Sequence, residues 1–469
     1  MQSRNTRADY RVAHLKVGTA HGAPRVWIEG RRLARAGFSA GQHYAVAVDA
    51  SRVHLALAQN GNRTVTAKHC NGRPDRPVID LNGRETLSIF AGDDRVRVVI
   101  RRGEIDILPP ATRLKARERL DRLITKLLSH QPLSVGSLCH GGGVTSLAIH
   151  TGMEAGGVPT RLRFANDVDE NVLEQAEQHN PAWTEDTSLV AAPMQEIVAD
   201  GWLMKHLGRV DLLEAGIPCV AASLAGRAKK HLDMAEADPN AGHLVVPFLG
   251  IVEAMQPSVI VVENVPPYQR TASAHLIRNT LRDWGYAVQE TILSGADFGA
   301  LEDRKRMVLV ALTAGLHFDL ASVVAQPHAV RTLGELLEPV PLDAPCWSTM
   351  DYLRTKEVRD AAAGKGFRMQ VVGPESTSVG TIGAEYQKNR STEPKVRHPE
   401  QGDKLLRLLT PTEHARIKGV PEALIDGLPA TRAHRLLGNG VVFAPFVALG
   451  KALATALAAT PNYAAREDA

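Results

Sequence analysis

Cys219 stands where a cysteine can act as a nucleophile. It follows Pro218 at the end of the apolar run VDLLEAGIPC, in a chain with four cysteines. Proline fixes the local backbone, and a loop thiol near helix N-termini or cations has a lowered pKa and attacks electrophilic carbon. A lone cysteine more often serves as a small buried apolar side chain, so the position alone leaves both interpretations open.

A carboxyl group and two guanidinium groups follow in later segments. Glu263 ends the apolar run of SVIVVENV, and a carboxyl that loses water there has a raised pKa and can deliver a proton. Arg304 and Arg306 alternate in EDRKRMVLV, which places both on one face of a strand, suited to an anion or a carbonyl oxygen. A surface Glu at a strand end and a solvated basic edge are the plain alternatives.

Glycines and an acidic residue predict a nucleoside cofactor. The segment CHGGGVTSLAI places three glycines before a helical pattern, so the backbone can approach a ligand closely and helix N–H groups face it. The next apolar run ends in NDVD, where Asp167 or Asp169 can accept hydrogen bonds from both ribose hydroxyls. Their separation from the glycines, about 24 residues, is near the roughly 20 expected.

The elements that must position these residues alternate between strands and helices. Between Leu133 and about Leu312, apolar strand-like runs alternate with helical patterns, which predicts βαβ units and a doubly wound, mostly parallel α/β sheet. In such a sheet, ligands bind outside the carboxyl ends of the strands, and the residues singled out above follow those ends.

Residues 1–110 predict a separate β module. Short alternating strands and glycine turns fill residues 24–109, and residues 28–57 share an order of apolar and glycine positions with residues 81–107. This order indicates an internal duplication. The first copy resembles SymE-type and AbrB-like proteins, whose swapped-hairpin barrel commonly binds nucleic acid; an unrelated small β domain is the alternative. Residues 111–132 predict an amphipathic connecting helix.

Seven segments, in order, resemble the motifs of the cytosine-C5 DNA methyltransferases over residues 133–312 and 405–460. They are SLCHGGG, ANDVD, GIPCVAASLAG, ENVP, ADFGALEDRKR, RLLTPTEHARIKGVPE and HRLLGNGVVFAPFVALGKAL. The resemblance implies the fold of a class I S-adenosylmethionine-dependent methyltransferase, with residues 133–312 and 405–469 as the catalytic domain.

The resemblance also implies a mechanism and its residues. Cys219 would add to C6 of a flipped-out cytosine, Glu263 would hold N3 and the exocyclic amine, and Arg304 and Arg306 would orient O2 and the thiolate. The implied S-adenosylmethionine-binding residues are Cys139, Gly141, Gly143, Asp167, Val168, Pro218 and Asn439. The implied contacts to double-stranded DNA are Ser223, Arg227, Lys229 and Lys230 in the loop after the nucleophile.

The chain departs from the family pattern at several positions. Val220 replaces the glutamine after the nucleophile, Ala222 replaces an aromatic residue, and Cys139 occupies the position of the cofactor-stacking Phe. Asp167 replaces a Glu, and Glu302 replaces the Gln of the QxRxR segment. Cys219, Glu263 and both arginines remain, so we expect activity.

Residues 313–404 lack a regular pattern, as the family's target-recognition region does. In it TIGAEYQKNRSTEPKVRH carries four basic residues among small and polar ones, which suits contact with base edges and phosphates. These are Lys388, Arg390, Lys395 and Arg397. A basic surface loop without function is the alternative.

Composition bears on the kind of partner, on metal binding and on cellular location, but it does not identify the substrate. The formal net charge of +4 permits a polyanionic partner, and the four cysteines form neither a CxxC pair nor a ligand cluster, so we expect no metal site. A polar N-terminus and a Pro-interrupted C-terminal apolar helix predict a cytoplasmic, DNA-associated protein without membrane contact. An RNA cytosine-5 methyltransferase and a non-catalytic nucleic-acid-binding regulator remain alternatives.

Overall fold

The computed structural model describes residues 10–71, 73–218 and 232–467. The chain divides into two compact units, residues 1–117 and 118–469. Each unit has a sheet and a core of its own.

The first unit is a nine-stranded sheet with two short helices. Its elements are β1 (Tyr10–Ala20), β2 (Ala23–Glu29), α1 (Arg31–Arg35), β3 (His43–Val48), β4 (Val53–Leu57), β5 (Arg63–Thr64), β6 (Thr66–Cys70), β7 (Arg73–Asn82), α2 (Arg84–Leu87), β8 (Arg95–Arg101) and β9 (Glu104–Leu108). The strand order is β5-β3-β4-β9-β8-β1-β2-β7-β6. Strand β1 is not among the predicted strands, because the apolar Val12 lies on the same exposed face as His14 and Lys16 and interrupts the alternation.

The two halves of this unit repeat one arrangement. A strand, a short helix and a hairpin follow one another as β2, α1, β3, β4 and again as β7, α2, β8, β9. Strands of the two halves pair with each other, as β2 does with β7 and β4 with β9. A strand that precedes each half also pairs with the other half's hairpin: β1, before the first half, pairs with β8, and β5, before the second half, pairs with β3. Both halves contribute to one core, which contains Val26, Ile28, Ile79, Leu81, Val96 and Val98. Neither half buries its apolar face without the other.

The second unit contains the remaining elements, and the helix α3 (Ala111–Leu128) leads into it. Its strands are β10 (Leu133–Leu138), β11 (Thr160–Asp167), β12 (Ser188–Ala191), β13 (Leu212–Gly216), β14 (Val259–Asn264), β15 (Tyr286–Ser294), β16 (Glu302–Asp303), β17 (Lys305–Thr313), β18 (Val371–Val372), β19 (Val379–Gly380), β20 (Lys395–His398) and β21 (Gly402–Arg407). Its helices are α4 (Val144–Ala155), α5 (Glu170–His179), α6 (Met194–Ala199), α7 (Gly201–Leu207), α8 (Val245–Met255), α9 (Ala272–Asp283), α10 (Asp351–Ala362), α11 (Pro411–Lys418), α12 (Ala430–Asn439) and α13 (Phe443–Glu467).

The predicted doubly wound, mostly parallel sheet is present in the second unit. Seven strands lie in the order β12-β11-β10-β13-β14-β17-β15, and those from β12 to β14 run parallel. Strand β17 is antiparallel to both neighbours. The order reverses between β10 and β13, which leaves a crevice at the carboxyl ends of these strands.

The apolar strand runs are explained by burial on both faces. Along β14, Val259 and Val261 join one core while Ile260 and Val262 join the other. Such strands read as continuous apolar runs. Strand β15 lies at the edge and is half-buried over most of its length, which is why the pattern did not predict it.

The C-terminal helix α13 packs against α4, as predicted for a buried helix. In the described part of the chain, the segment Phe443–Thr460 is the one helix long and apolar enough to span a membrane. Its residues Phe446, Leu449, Leu453 and Leu457 are nevertheless buried in the core. A Cβ atom at Gly152 of α4 would collide with the backbone of Val447, so glycine permits the close approach.

A buried carboxylate joins three distant segments of the second unit. Glu302 of β16 accepts a hydrogen bond from Lys418 of α11 at 2.7 Å, and both side chains are fully buried. It also accepts one from the backbone N–H of Ile382 at 2.9 Å, and Arg304 lies 3.5 Å away. Despite burial, the positive charges of Lys418 and Arg304 hold the pKa of Glu302 below its ordinary value.

We predict that Glu302→Gln lowers the free energy of unfolding by about 3–5 kcal/mol, because it leaves the buried charge of Lys418 without its counter-ion. Adding Lys418→Gln to this variant restores a large part of the loss. Urea unfolding followed by tryptophan fluorescence measures both.

The exposed pair of Arg416 and Glu422, 2.7 Å apart, supplies the control. Glu422→Gln changes stability by less than about 1 kcal/mol. A loss in the double variant equal to the sum of the losses in Glu302→Gln and Lys418→Gln would show that the pair adds no coupling.

Candidate active site

A cavity of about 550 Å³ opens at the carboxyl ends of β10, β11, β13 and β14. Its walls come from the glycine turn after β10, the ends of the three other strands, and the helix α12. Lining residues from these segments are Cys139–Gly142, Asp167–Asp169, Gly216–Pro218, Glu263–Val265, Arg306, Leu436 and Asn439. The cavity therefore lies at the topological switch point of the sheet.

The glycine turn is held by polar groups beneath it. Gly141 and Gly143 have positive φ angles of 56° and 72°, which favour glycine. A Cβ atom on Gly142 would lie 2.5 Å from Leu436. The amide of Asn180 donates to the carbonyls of Gly142 and Gly143 at 3.2 and 3.1 Å.

Asp167 connects the end of β11 to this turn. Its carboxylate accepts a hydrogen bond from the backbone N–H of Gly141 at 2.9 Å and another from Val168 at 2.8 Å. Val168 projects into solvent, 72% exposed, and also lines the cavity. An anchored carboxylate beside a glycine turn can accept hydrogen bonds from a diol.

A line of buried side chains extends from the turn into the sheet. The indole of Trp183 donates to Nε2 of His140 at 3.2 Å, and Nδ1 of His140 lies 2.7 Å from the Ser137 hydroxyl. Burial lowers the pKa of His140 to about 3, so the ring is neutral and Nδ1 carries the proton. Glu214 of β13 lies opposite Ser137 of β10 in the sheet. Burial raises the pKa of Glu214 to about 7, and the hydroxyls of Ser137 and Ser146 act in the opposite direction.

Glu263 and Arg306 form an ion pair at the opposite wall. Nε of Arg306 donates to the carboxylate of Glu263 at 2.7 Å. The side chains of Arg306 and Glu263 are 15% and 14% exposed, respectively. Burial raises the pKa of Glu263 above its ordinary value, although the charges of Arg306 and Arg304 act in the opposite direction. A carboxyl of this kind can donate a proton to a ligand in the cavity.

The turn after β13 leads directly to the predicted nucleophile. Asn264 donates to the carbonyl of Ile217 at 3.0 Å and fixes the chain two residues before Cys219. Pro218 lines the cavity. Cys219 itself lies outside the described residues, as do four predicted DNA contacts, Ser223, Arg227, Lys229 and Lys230.

The remaining predicted site residues fall in two groups. Cys139 and Asn439 line the cavity, and burial raises the pKa of the Cys139 thiol to about 12. Gly143 and Arg304 are absent from the described lining. Gly143 is the N-cap of α4, and Arg304 donates to the carbonyl of Gly438 at 2.8 Å beneath the cavity wall.

The basic residues of the 313–404 stretch do not all face solvent. Lys388 and Arg390 are exposed, and both pair with Glu385. The prediction that Lys395 contacts nucleic acid is wrong, because its side chain is fully buried and donates to the carbonyls of Arg390 and Glu393. Arg397 pairs with Glu375 at 2.7 Å.

Sequence patterns missed the groups that support the site from a distance. Asn180, Trp183, Glu214 and Lys418 are far in sequence from the groups they contact, so no local motif reveals them. A charged residue inside an apolar run, as Glu214 is in VDLLEAG, was the one available signal.

Solved structures share this fold. The Dnmt2 methyltransferase of S. pombe superposes with a TM-score of 0.51 at 18% identity, over 68% of this chain and 96% of that one. The Entamoeba histolytica methyltransferase EhMeth superposes with a TM-score of 0.52 at 18% identity, over 69% and 98%. At this identity the likeness establishes the class I methyltransferase fold.

Curated relatives are more similar in sequence. The type II methyltransferase M.NlaX of Neisseria lactamica is 30% identical over 260 residues, 54% of this chain and 78% of the relative. M.MspI of Moraxella sp is 29% identical over 253 residues, 53% and 56%, and the DNA-cytosine methyltransferase of Escherichia coli K12 is 29% identical over 293 residues, 54% and 61%. This chain thus spans less than two thirds of two of these relatives.

A family model also matches this chain. The model of the C-5 cytosine-specific DNA methylase family matches residues 133–455, which is well over half of the chain. All the residues that line the cavity lie within this range. The chain belongs to the family of C-5 cytosine-specific DNA methylases.

Proposed function

We propose that the chain transfers a methyl group from S-adenosylmethionine to C5 of cytosine in duplex DNA. One observation carries the proposal: the Glu263–Arg306 ion pair, the Asp167 carboxylate and Pro218, the residue before Cys219, line a single cavity. An acid and an anchored ribose acceptor at one cavity, with Pro218 leading the chain toward a cysteine, match the needs of this reaction.

The cavity fits the cofactor. Its volume of about 550 Å³ is within the range of small-molecule sites, and its glycine turn leaves room for close approach of a ligand. Asp167 would accept hydrogen bonds from the ribose, while Gly141, Gly142 and Asn439 would border the rest. When bound, S-adenosylmethionine supplies a methyl group on a positively charged sulfur.

Residues of the chain activate the cytosine. The thiolate of Cys219 would form a bond to C6 while Glu263 gives a proton to N3, so that C5 becomes an enamine carbon able to accept the methyl group. C5 would take the methyl group with release of S-adenosylhomocysteine. Removal of the C5 proton by a base would then expel the thiolate, and N3 would return its proton to the carboxylate of Glu263. Arg306, bound to Glu263, would fix the carboxyl and face O2 of the base.

The substrate must be flipped out of the duplex, because C6 is inaccessible in a stacked base pair. We propose that residues 219–231 contact phosphates through Arg227, Lys229 and Lys230. We assign residues 313–404 to target recognition, with Lys388 and Arg390 at the DNA. Contact with phosphate there competes with Glu385, which pairs with both cations.

We propose that residues 1–110 are a swapped-hairpin module that binds nucleic acid, and that residues 133–312 and 405–469 are the catalytic domain. The exchanged pairings of the two halves support the first assignment. We further propose that the protein acts on DNA in the cytoplasm.

Cys219→Ser is expected to abolish methyl transfer, because a hydroxyl is too weak a nucleophile to attack C6. Transfer of labelled methyl to duplex DNA and to tRNA, measured in parallel, reports both the reaction and the substrate. Cys346→Ser, at an exposed thiol, is the control and retains full activity. Turnover by Cys219→Ser contradicts the covalent mechanism, and label on tRNA alone contradicts the DNA substrate.

Glu263→Gln is expected to lower kcat by about 10²–10⁴-fold, because the amide cannot supply the proton. Since the pKa of Glu263 is raised, its protonated fraction falls as pH rises through that value. Wild-type kcat therefore declines at high pH, and the residual activity of the variant lacks this decline. A high-pH decline of the same shape in both proteins would exclude Glu263 as the acid.

Asp167→Ala is expected to weaken S-adenosylmethionine binding at least about 10-fold, because a carboxylate bound to the glycine turn is lost. Isothermal titration calorimetry measures the Kd directly. Asp169→Ala, at a neighbouring residue that also lines the cavity, is the matched variant and has a smaller effect. The reverse ranking would assign the ribose to Asp169, and wild-type protein without binding would favour a non-catalytic regulator.

A further inference from the structure

The charge of the chain is divided unequally between its two units. Residues 1–117 carry 21 Lys and Arg against 10 Asp and Glu, a formal charge of +11, whereas residues 118–469 carry 34 against 41, a charge of −7. The whole-chain value of +4 conceals this difference. A basic unit of this kind attracts a polyanion at long range, and the acidic unit does not.

Basic residues face one another across the ladder between β1 and β8. Lys16 lies directly opposite Arg95, and His14 lies opposite Arg97. The alternate residues of β8, Val96 and Val98, are fully buried, so these basic side chains project from the other face of the sheet. We name this set, His14, Lys16, Arg95 and Arg97, the basic ladder.

The basic ladder has no acidic partner in the described part of the chain. None of Lys16, Arg95 and Arg97 belongs to an ion pair there, and the buried Nε of Arg97 has no acceptor. Most acidic residues of the unit pair with other groups: Glu29 with Lys68, Asp49 with Arg52, Asp75 with His69, Asp80 with Arg25, Asp93 with Arg113, Glu104 with Arg101, and Asp106 with Arg52 and Arg101.

Such an arrangement costs stability. Like charges directly opposite in a sheet repel one another, and a buried guanidinium N–H without an acceptor adds a desolvation cost. A row of phosphates lying along the ladder offsets both, since each phosphate oxygen accepts charge-assisted hydrogen bonds.

We propose that the basic ladder binds the sugar-phosphate backbone of duplex DNA and holds the substrate of the catalytic unit. The choice of DNA as occupant rests on the proposed function. Binding through backbone phosphates makes this contact independent of sequence. Target choice then belongs to the second unit.

The test is equilibrium binding of the full-length protein to a fluorescently labelled 30-base-pair duplex, by anisotropy, between 50 and 300 mM NaCl. The variant is Lys16→Gln/Arg95→Gln/Arg97→Gln. We expect the slope of log K against log salt to become shallower by about 2–3, since each lost phosphate contact removes roughly 0.9. Binding is measured without cofactor, so its outcome is separate from that of methyl transfer.

A matched control removes the same charge elsewhere in the unit. Arg31, Arg35 and Arg84 are exposed residues of α1 and α2, and Arg31→Gln/Arg35→Gln/Arg84→Gln is expected to change the slope by less than about 1. Equal changes in the two triple variants would overturn the assignment in favour of diffuse charge. A loss of affinity for labelled tRNA with unchanged affinity for DNA would overturn the choice of DNA.

Thermal unfolding separates a binding role from a structural one. Because the substitutions remove repulsion between opposed cations, the ladder variant is expected to unfold at the same temperature as the wild type or higher. The single variant Arg95→Gln removes one side of the Lys16 pair and guards against loss of fold in the triple. A lower unfolding temperature with unchanged DNA binding would assign the ladder a structural role.

Discussion

The active site depends on how buried charges are neutralised, and the carboxylate of Glu302 is the clearest case. An ionised group inside a protein persists only where opposite charge and hydrogen bonds replace water. Lys418, Arg304 and the backbone of Ile382 provide both. Because Arg304 also binds Gly438, whose helix α12 contributes Leu436 and Asn439 to the cavity, the neutralisation of one carboxylate positions part of the cavity wall.

Glu263 is also a largely buried glutamate, but the balance of burial and neighbouring positive charge shifts its pKa in the opposite direction from that of Glu302. Burial prevails over the charges of Arg306, with which Glu263 forms an ion pair, and of Arg304, so its pKa is raised. Glu302 has two neighbouring cations and a backbone donor, so its pKa is lowered. Environment thus separates a carboxyl that can hold a proton at the cavity from one that serves as a permanent counter-ion. A Glu can replace the family's Gln at position 302 because the ammonium group of Lys418 neutralises its charge.

The sequence predicted those features that have a local signature. Apolar runs predicted the strands β10 to β14 and β17, and in β10, β13, β14 and β17 burial on both faces leaves little alternation. Ordered motifs gave the family and part of the cavity lining, namely Cys139, Gly141, Asp167, Val168, Pro218, Glu263, Arg306 and Asn439. Partners from distant segments have no local pattern, as the 116-residue separation between Glu302 and Lys418 illustrates. Lys395 was misjudged for the same reason, since only tertiary contacts show that carbonyl groups surround its ammonium.

The division of charge between the units has a physical logic. Under the proposed function, the cavity would hold a flipped base and a nucleoside, and both need desolvated groups whose charges are compensated. A large positive surface around the cavity would raise affinity for every DNA sequence alike. Under the proposal for the basic ladder, a separate basic unit on the same chain would supply DNA at high effective concentration without altering the cavity. The duplicated architecture suits this task, because two halves that complete each other's sheet form a rigid surface within one chain. Sequence-independent capture and base-specific chemistry can then be adjusted separately, one through surface charge and the other through buried ion pairs.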